Sequence, residues 1–272
     1  RAGVIDAVVI TNTLLSAQPL WMRGKRSFDV HLVWYSQNAI PLVYRWDELR
    51  SDHPHYPLIR VDTHWVWTKG FSDYLCSILP SPSVRIVGPL LWYLPEPAPT
   101  RQDARQVMTL FDVTPQLESY VRSQGILEYY YSRTNVKAFV EGALSLAGRL
   151  GNEGGRPFRV RIKHKRALGP LHDKEYGEWI ERLESENRLE RVTSDENLFS
   201  LIAGSDLVVV IPYSSPAYIA DYLGVPSIFY DASGQLMPTF ERGSRIGFAS
   251  SVDEMCEQAA AMLTKREVGA TS

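Results

Sequence analysis

The sequence predicts an α/β protein built on doubly wound parallel sheets, because strand-like and helix-like segments alternate along most of the chain. Such alternation indicates βαβ units, whose right-handed crossovers cover both faces of a parallel sheet with helices. A second observation is the unbroken apolar run at residues 207–211, which suits a strand buried on both faces. The third is a proline-rich segment, residues 95–105, which divides the chain into two parts.

This division predicts two Rossmann-like domains, residues 1–94 and 106–272, joined by an extended linker at 95–105. A chain of 272 residues is long enough for two modest domains with genuine cores. The first domain is short for a complete doubly wound unit, and the chain begins at Arg1 without a methionine. We therefore expect the first domain to be truncated.

The first part shows two strand patterns, then a helix pattern rich in aromatic residues, then one more strand pattern. In that order, these segments are 4–11, 29–36, 63–79 and 84–91. The second part alternates more regularly. Its predicted strands are 106–113, 158–166, 189–194, 206–211 and 225–230, and its predicted helices are 135–150, 172–187, 194–205, 215–223 and 252–265.

Helix faces and caps support several of these assignments. In the helix at 135–150, one face carries apolar side chains, namely those of Val136, Phe139, Val140, Leu144 and Ala147. The helix at 252–265 does the same with Val252, Met255, Cys256, Ala259 and Leu263. Ser194 or Asp195 is expected to cap the helix at 194–205.

Composition excludes several classes of protein. The chain is 44% hydrophobic and 22% charged, as in ordinary globular proteins, and its net charge of −2 attracts neither nucleic acid nor anionic lipid. Its two cysteines form no disulfide framework and suit a reducing, cytoplasmic compartment. No apolar run approaches the ~20 residues that span a bilayer.

The clearest candidate site follows the apolar strand, where Pro212-Tyr213-Ser214-Ser215 leads into a helix pattern. Ser215 is a suitable N-cap, Pro216 suits the first helical position, and Gly224 suits the residue after the helix. A helix N-terminus beside two hydroxyls makes an anion site suited to phosphate. Alternatively, Ser215 only caps the helix. The glycine-rich fingerprints of dinucleotide sites and P-loops are absent.

A second candidate is the basic segment at 159–166. Strand alternation puts Arg159, Arg161, Lys163 and Lys165 on one side and His164 on the other. The cluster Lys163-His164-Lys165-Arg166 is expected where the strand enters the ligand crevice, and its cations Lys163, Lys165 and Arg166 would neutralise a phosphate or carboxylate there. The alternative is an exposed, solvated strand end.

Two further residues are catalytic candidates. Asp112 comes as an apolar strand ends, where it would act as a base, a nucleophile or a hydroxyl-binding group. An Asx turn before the next helix explains it equally well. His64 is an acid–base candidate, although a packed histidine is commoner. The pair Asp47-Glu48 fits a surface helix start, and His53 and His55 lack further ligands at metal-binding spacing, so no metal site is predicted.

Three segments, "FDVTP", "KHKR" and "PYSSPAYIADYLGVPSIFYD", resemble GT-B glycosyltransferases of bacterial surface-polysaccharide biosynthesis. The likeness covers roughly residues 60–250. It is closest to transferases that use CMP-activated 3-deoxy-octulosonic acid (CMP-Kdo), and weaker to CDP-glycerol glycerophosphotransferases. One departure is His164, which stands where the related motif has a proline.

The resemblance implies two Rossmann-like domains facing a central cleft and a metal-independent transfer of Kdo or a related acidic sugar from a CMP-linked donor. No cofactor is implied beyond that donor. The acceptor would be a glycan or lipid-linked glycan, met at the inner face of the plasma membrane by peripheral contact.

Carried onto this sequence, the resemblance assigns Tyr213, Ser214, Ser215, Lys163, Lys165 and Arg166 to the donor nucleotide and its phosphate. It makes Asp112 the best catalytic carboxylate, with His64 as a second candidate. Three other functions stay open: glycerophosphate transfer, nucleotide-sugar epimerisation, and a non-catalytic nucleotide-binding scaffold.

Overall fold

The computed structural model describes residues 5–11, 18, 20–36, 44–45, 56–90, 105–123, 132–154, 156–164, 169–193, 195–238 and 245–270. The chain divides into two compact units. Unit 1 is Arg1–Pro95 with Met237–Ser244, and unit 2 is Glu96–Leu236 with Arg245–Ser272. Apart from Arg105, the predicted linker lies outside the described residues, as do Asp47, Glu48, His53 and His55.

Unit 1 contains a four-stranded parallel sheet in the order β1-β2-β3-β4. Its strands are β1 (Ala7–Ile10), β2 (Asp29–Val33), β3 (Thr63–Val66) and β4 (Val84–Ile86). Between them lie α1 (Leu20–Arg23), a 3-10 turn (Tyr56–Leu58) and α2 (Lys69–Ile78). Three of these strands confirm strand predictions made from the sequence.

The fourth strand, β3, corrects the predicted helix at 63–79. Residues Thr63–Val66 alternate between half-buried and buried positions and pair with both neighbouring strands. The helix begins only after Thr68, whose side-chain hydroxyl accepts a hydrogen bond from the Phe71 amide at 3.2 Å. The prediction failed because buried aromatic residues in a short strand match a helical period as readily as a strand period.

Aromatic rings fill the core of unit 1. Trp34 is 1% exposed, and its ring meets Phe71 edge-on at 4.8 Å and Tyr56 edge-on at 5.2 Å. His64, on β3, is 3% exposed and accepts a hydrogen bond on Nδ1 from Trp34 Nε1 at 3.2 Å. Burial lowers the pKa of His64 from 6.5 to about 4, so the imidazole is neutral at neutral pH.

Unit 2 contains a six-stranded parallel sheet in the order β10-β9-β8-β5-β6-β7. Its strands are β5 (Gln106–Phe111), β6 (Phe158–Lys163), β7 (Glu190–Val192), β8 (Leu207–Val210), β9 (Ser227–Tyr230) and β10 (Gly247–Ala249). Its helices are α3 (Glu118–Ser123), α4 (Arg133–Gly154), α5 (Lys174–Ser185), α6 (Leu198–Ala203), α7 (Ser215–Tyr222) and α8 (Val252–Ala270). The predicted α/β class with a parallel sheet is confirmed.

Helix α4 packs on β5 and β6 and against α8, which lies on β9 and β10. Helix α6 packs with α7, which lies on β8 and β9. Every residue of β8 and of β9 is buried, as expected for central parallel strands. Two details differ from the sequence prediction. In α4, Leu146 rather than Leu144 is fully buried. In α6 the cap is Asn197, whose side-chain oxygen accepts bonds from the amides of Phe199 and Ser200.

Gly142 lets the ring of Tyr230, at the end of β9, pack directly on α4. A methyl group at this position would lie 2.6 Å from Tyr230 Oη and 2.8 Å from Cζ. Gly148, in the same helix, has nothing within 4 Å of such a methyl group. The two glycines therefore separate the effect of packing from that of helix propensity.

We expect Gly142→Ala to lower the free energy of unfolding by about 1–2 kcal/mol, because overpacking outweighs the gain in helix propensity. Gly148→Ala should raise it by about 0.5–1 kcal/mol, since only the propensity changes. Denaturant unfolding of both variants and the wild type measures the difference. Equal stabilisation by both substitutions would contradict the close approach of Tyr230.

His64 makes the stability of the protein depend on pH. The unfolded chain protonates this imidazole below about pH 6.5 and the folded chain only below about pH 4, so stability falls as pH decreases through that window. From His64 alone we expect a loss of about 2 kcal/mol between pH 7 and pH 5.

His64→Asn keeps an acceptor for Trp34 but removes the titrating group. Unfolding in denaturant at both pH values should therefore show an acid loss smaller by about 2 kcal/mol in the variant. An undiminished loss would mean that His64 is already protonated in the folded protein at pH 5.

Candidate functional site

The strand order of unit 2 reverses beside β5. The chain runs outward from β5 through β6 to β7, then returns to place β8 on the other side of β5. In open α/β sheets, ligands bind beyond the carboxyl ends of the strands at such a reversal. Here Phe111 on β5 lies opposite both Lys163 on β6 and Val210 on β8. The residues that follow these three positions therefore line one edge.

A tight turn follows β8. The Ser214 amide donates a hydrogen bond to the Ile211 carbonyl at 3.2 Å, and Pro212 and Tyr213 occupy the two central positions. Tyr213 has a φ of 62°, in the left-handed region that side chains other than glycine rarely occupy. This combination of proline and positive φ is that of a type II turn. Such backbone strain is concentrated at functional sites.

The Tyr213 side chain holds this turn in place. Its ring is 5% exposed and lies 5.3 Å from the ring of Phe229 and 6.2 Å from that of Phe248. This packing makes the ring an anchor for the turn. The role in nucleotide binding that the sequence suggests for Tyr213 stays a prediction.

Helix α7 begins one residue earlier than predicted. Ser214 is the N-cap, so Ser215 and Pro216 are the first two helical residues. The predicted end is confirmed: Gly224 has a φ of 70°, and its amide and that of Val225 bond back to the carbonyls of Asp221 and Ala220.

The Ser214 hydroxyl makes no capping hydrogen bond. A capping side chain accepts from the second or third helical amide. The second helical residue here is Pro216, which has no N–H, and the amide of the third, Ala217, bonds to the Ser214 carbonyl at 3.3 Å. The helix start therefore does not use this hydroxyl.

Asp112 follows β5 directly, and its side chain is fully buried. Its Oδ2 accepts a hydrogen bond from Tyr176 Oη at 2.5 Å and lies 2.7 Å from Nδ1 of His164, the residue that follows β6. Among the described residues, no donor bonds to Asp112 Oδ1 and no group bonds to His164 Nε2, although both atoms are buried. We call Asp112, His164 and Tyr176 the polar triad.

Tyr176 joins the triad from the first turn of α5. Asp173 caps that helix by accepting a hydrogen bond from the Tyr176 amide. The first turn of α5 thus lies close enough to the end of β5 for the Tyr176 hydroxyl to reach Asp112. Burial, with the nearby Asp112 carboxylate, raises the pKa of the Tyr176 phenol well above 10. The phenol therefore stays protonated and donates to Asp112.

The cations of β6 have partners elsewhere. Arg159 pairs with Glu190 on β7, and Arg161 donates to the Thr109 hydroxyl and the Leu201 carbonyl. Lys163 is 9% exposed, and its ammonium donates to the Thr193 carbonyl at 2.9 Å, beyond the end of β7. Burial lowers the pKa of Lys163, against the opposing effect of Glu196 and Asp195. Lys165 and Arg166 lie outside the described residues.

The structure thus brings Asp112 and His164 together at the edge where the Ser214 turn also lies. It holds the Lys163 ammonium at the loop after β7, and it places His64 in the core of unit 1. The pairing of His164 with Asp112 was not predicted from the sequence, although both residues directly follow neighbouring strands. The contact of Tyr176 with Asp112 was not predicted either, because the helix pattern carries no such signal.

The described residues contain no group of three or more His, Cys, Asp or Glu side chains placed to hold a metal ion. In the same ranges, no helix is both long and apolar enough to cross a bilayer.

Comparison with solved structures shows the fold. The chain is similar to the Glycosylation Associate Protein (Gap123) complex from Streptococcus agalactiae, with a TM-score of 0.51 and 12% identity over 96% of this chain and 50% of that one. It is also similar to a variant of the wall teichoic acid polymerase TagF soaked with CDPG, with a TM-score of 0.50 and 12% identity over 94% of this chain and 66% of that one.

TarM matches with a TM-score of 0.47 and 8% identity, over 88% of this chain and 44% of TarM. The chain thus spans only about half to two thirds of the length of these structures. The likeness to the other two structures, with TM-scores of 0.51 and 0.50, agrees with the predicted GT-B-like class.

Sequence comparison shows the family. No curated protein sequence matches the chain. The model of one family, described as polysaccharide biosynthesis PFTS motif protein, matches residues 1–258. The chain therefore belongs to the polysaccharide biosynthesis PFTS motif family.

Proposed function

We propose that this protein is a glycosyltransferase of polysaccharide biosynthesis that binds a nucleotide-activated donor through the turn after β8. The observation that carries the proposal is the Ser214 hydroxyl, which stands at the N-terminus of α7 without capping it. A hydroxyl and the positive end of a helix dipole together suit a phosphate. The turn also lies at the reversal of strand order, where α/β sheets bind ligands.

The family description supports this choice of segment. The motif in its name reads Pro-Phe-Thr-Ser, and residues 212–215 read Pro-Tyr-Ser-Ser. Pro212 and Ser215 are identical to the motif. Tyr213 stands in place of the phenylalanine and Ser214 in place of the threonine, so the aromatic ring and the hydroxyl are kept. We infer that residues 212–215 are this chain's version of the motif.

In a transferase reaction, the two serines would stabilise the leaving nucleotide. When the donor bond breaks, negative charge develops on the departing nucleotide phosphate. Fixed donors aimed at that charge stabilise it, and removing one of them from other enzymes costs ~2.7–4 kcal/mol. Ser214 is one such donor, and the half-buried Ser215 is the expected second. No metal is needed for this stabilisation, and a metal-independent reaction remains part of the proposal.

The proposed donor is a CMP-linked sugar, Kdo or a related acidic sugar, and the acceptor a glycan or lipid-linked glycan. A cytoplasmic protein in peripheral contact with the inner membrane face would meet both. One second candidate is supported by a specific observation, the fold shared with a TagF variant that was soaked with CDPG. Transfer of glycerophosphate from CDP-glycerol would also release CMP, so the same phosphate site would serve either reaction.

The first test is calorimetric titration of CMP, CDP, UDP and GDP into the wild type and Ser214→Ala. We expect a cytidine nucleotide to bind, and to bind about tenfold more weakly (~1.4 kcal/mol) to the variant. The free energy of unfolding should change by less than about 0.5 kcal/mol, because no capping bond is lost. A chelating agent should leave the affinity unchanged.

Ser185→Ala is the matched control. Ser185 ends α5, and its exposed hydroxyl donates only to the Arg182 carbonyl, so both nucleotide affinity and stability should stay at wild-type values. A loss of about 1 kcal/mol in stability for Ser214→Ala, with unchanged nucleotide affinity, would identify Ser214 as a helix cap. Release of CMP from CMP-Kdo or from CDP-glycerol, compared in parallel, then separates the two candidate donors.

A further inference from the structure

We propose that the polar triad presents Nε2 of His164 to the phosphate of the bound nucleotide, with Asp112 and Tyr176 as positioning residues behind it. The inference rests on the proposed function, which supplies the nucleotide. It changes the role expected for Asp112, which acts through His164 instead of attacking the sugar.

Asp112 is poorly placed to be a nucleophile. Its side chain is fully buried, and Oδ2 already receives the Tyr176 hydroxyl and the His164 ring. Within the described residues, no lysine or arginine forms an ion pair with it. Burying a carboxylate is costly unless its oxygens are hydrogen-bonded, and the Tyr176 hydroxyl and the His164 ring satisfy Oδ2.

The hydrogen bond to Asp112 orients the His164 ring. A carboxylate only accepts hydrogen bonds, so the proton lies on Nδ1, and Nε2 is directed away from Asp112 on the far side of the ring. Nε2 is buried and, in the described part of the chain, has no partner. Buried nitrogens of this kind are nearly always satisfied, so a ligand atom is expected there.

The location fits a nucleotide. His164 follows β6 and the Ser214 turn follows β8, with only β5 between these strands. Neighbouring strands are ~4.8 Å apart, so the two strand ends are about 10 Å apart, close enough for a serine and a histidine side chain to contact one phosphate from two sides. An N–H at Nε2, with Asp112 fixing the ring from behind, would donate to the ionised phosphate, and a hydrogen bond to a charged acceptor is stronger than a neutral one.

Tyr176 completes the arrangement. Its hydroxyl holds Oδ2 of Asp112, and its ring meets the His164 ring edge-on at 6.0 Å and 71°. Because the phenol stays protonated, it fixes the carboxylate without competing for the proton of His164. Removing the hydroxyl alone should loosen His164 while the ring keeps its packing.

The experiment compares CMP with cytidine in calorimetric titrations, because only CMP carries the phosphate. His164→Asn keeps a donor near the position of Nδ1 and loses Nε2, whereas His164→Gln keeps a donor near Nε2. We expect His164→Asn to weaken CMP binding about tenfold and His164→Gln no more than about threefold. Cytidine affinity should change less than about twofold in both.

Tyr176→Phe should weaken CMP binding by about threefold or more, again without affecting cytidine. Tyr120→Phe is the matched control: it removes from α3 a hydroxyl that bonds to none of the three triad residues, and it should bind like the wild type. Unchanged CMP affinity in His164→Asn, or equal weakening of CMP and cytidine, would overturn the inference.

Two readouts separate this inference from the proposed function. If Ser214→Ala weakens CMP binding and the triad variants do not, the phosphate site stands and only the role of His164 is refuted. The second readout needs no nucleotide: ring nitrogen NMR of His164 should show a proton on Nδ1 in the wild type. Asp112→Asn should shift the Nδ1 signal, and an unchanged spectrum would refute the triad even if no nucleotide binds.

Discussion

The break in strand order between β5 and β8 determines where every polar group of the candidate site lies. Parallel strands all end at the same edge, and the helices that leave neighbouring strands at this break diverge to opposite faces. The space between them is where Asp112, His164 and the Ser214 turn emerge from β5, β6 and β8. Because β8 and β9 are wholly buried, these strand ends are held in place by the core of unit 2.

Two local features determine which groups at that edge can bind a ligand: the turn before α7 and the hydrogen bonds of Asp112. The proline at the second position of α7 removes an amide that would otherwise engage the Ser214 hydroxyl, and the left-handed Tyr213 backbone sets the direction of the turn. On the neighbouring strands, a carboxylate excluded from water is hydrogen-bonded by a phenol and an imidazole, and no lysine or arginine of the described residues pairs with it. Both features leave a hydrogen-bonding group at this edge that the described fold does not use: the Ser214 hydroxyl and Nε2 of His164.

Much of this was accessible from the sequence, because apolar runs and helical periods mark buried strands and amphipathic helices reliably in unit 2. The pairing of Asp112 with His164 was also accessible, since each directly follows one of two adjacent strands. The helix predicted at 63–79 was wrong over β3 for a physical reason. This strand is short and aromatic, and its apolar pattern fits a helical period as well as a strand period. Whether Ser214 or Ser215 caps α7, and which phenol reaches Asp112, depend on three-dimensional contacts that no spacing encodes.

The division into units has a consequence for the autonomy of each. Residues 237–244 belong to unit 1, so the chain passes between the units three times, near residues 95, 236 and 244. A fragment that begins after the predicted linker would keep residues 237–244, which are assigned to unit 1, and lose the rest of that unit. Unit 2 is therefore not a contiguous stretch of sequence, and recombination could not transplant it by a single exchange without carrying part of unit 1 along.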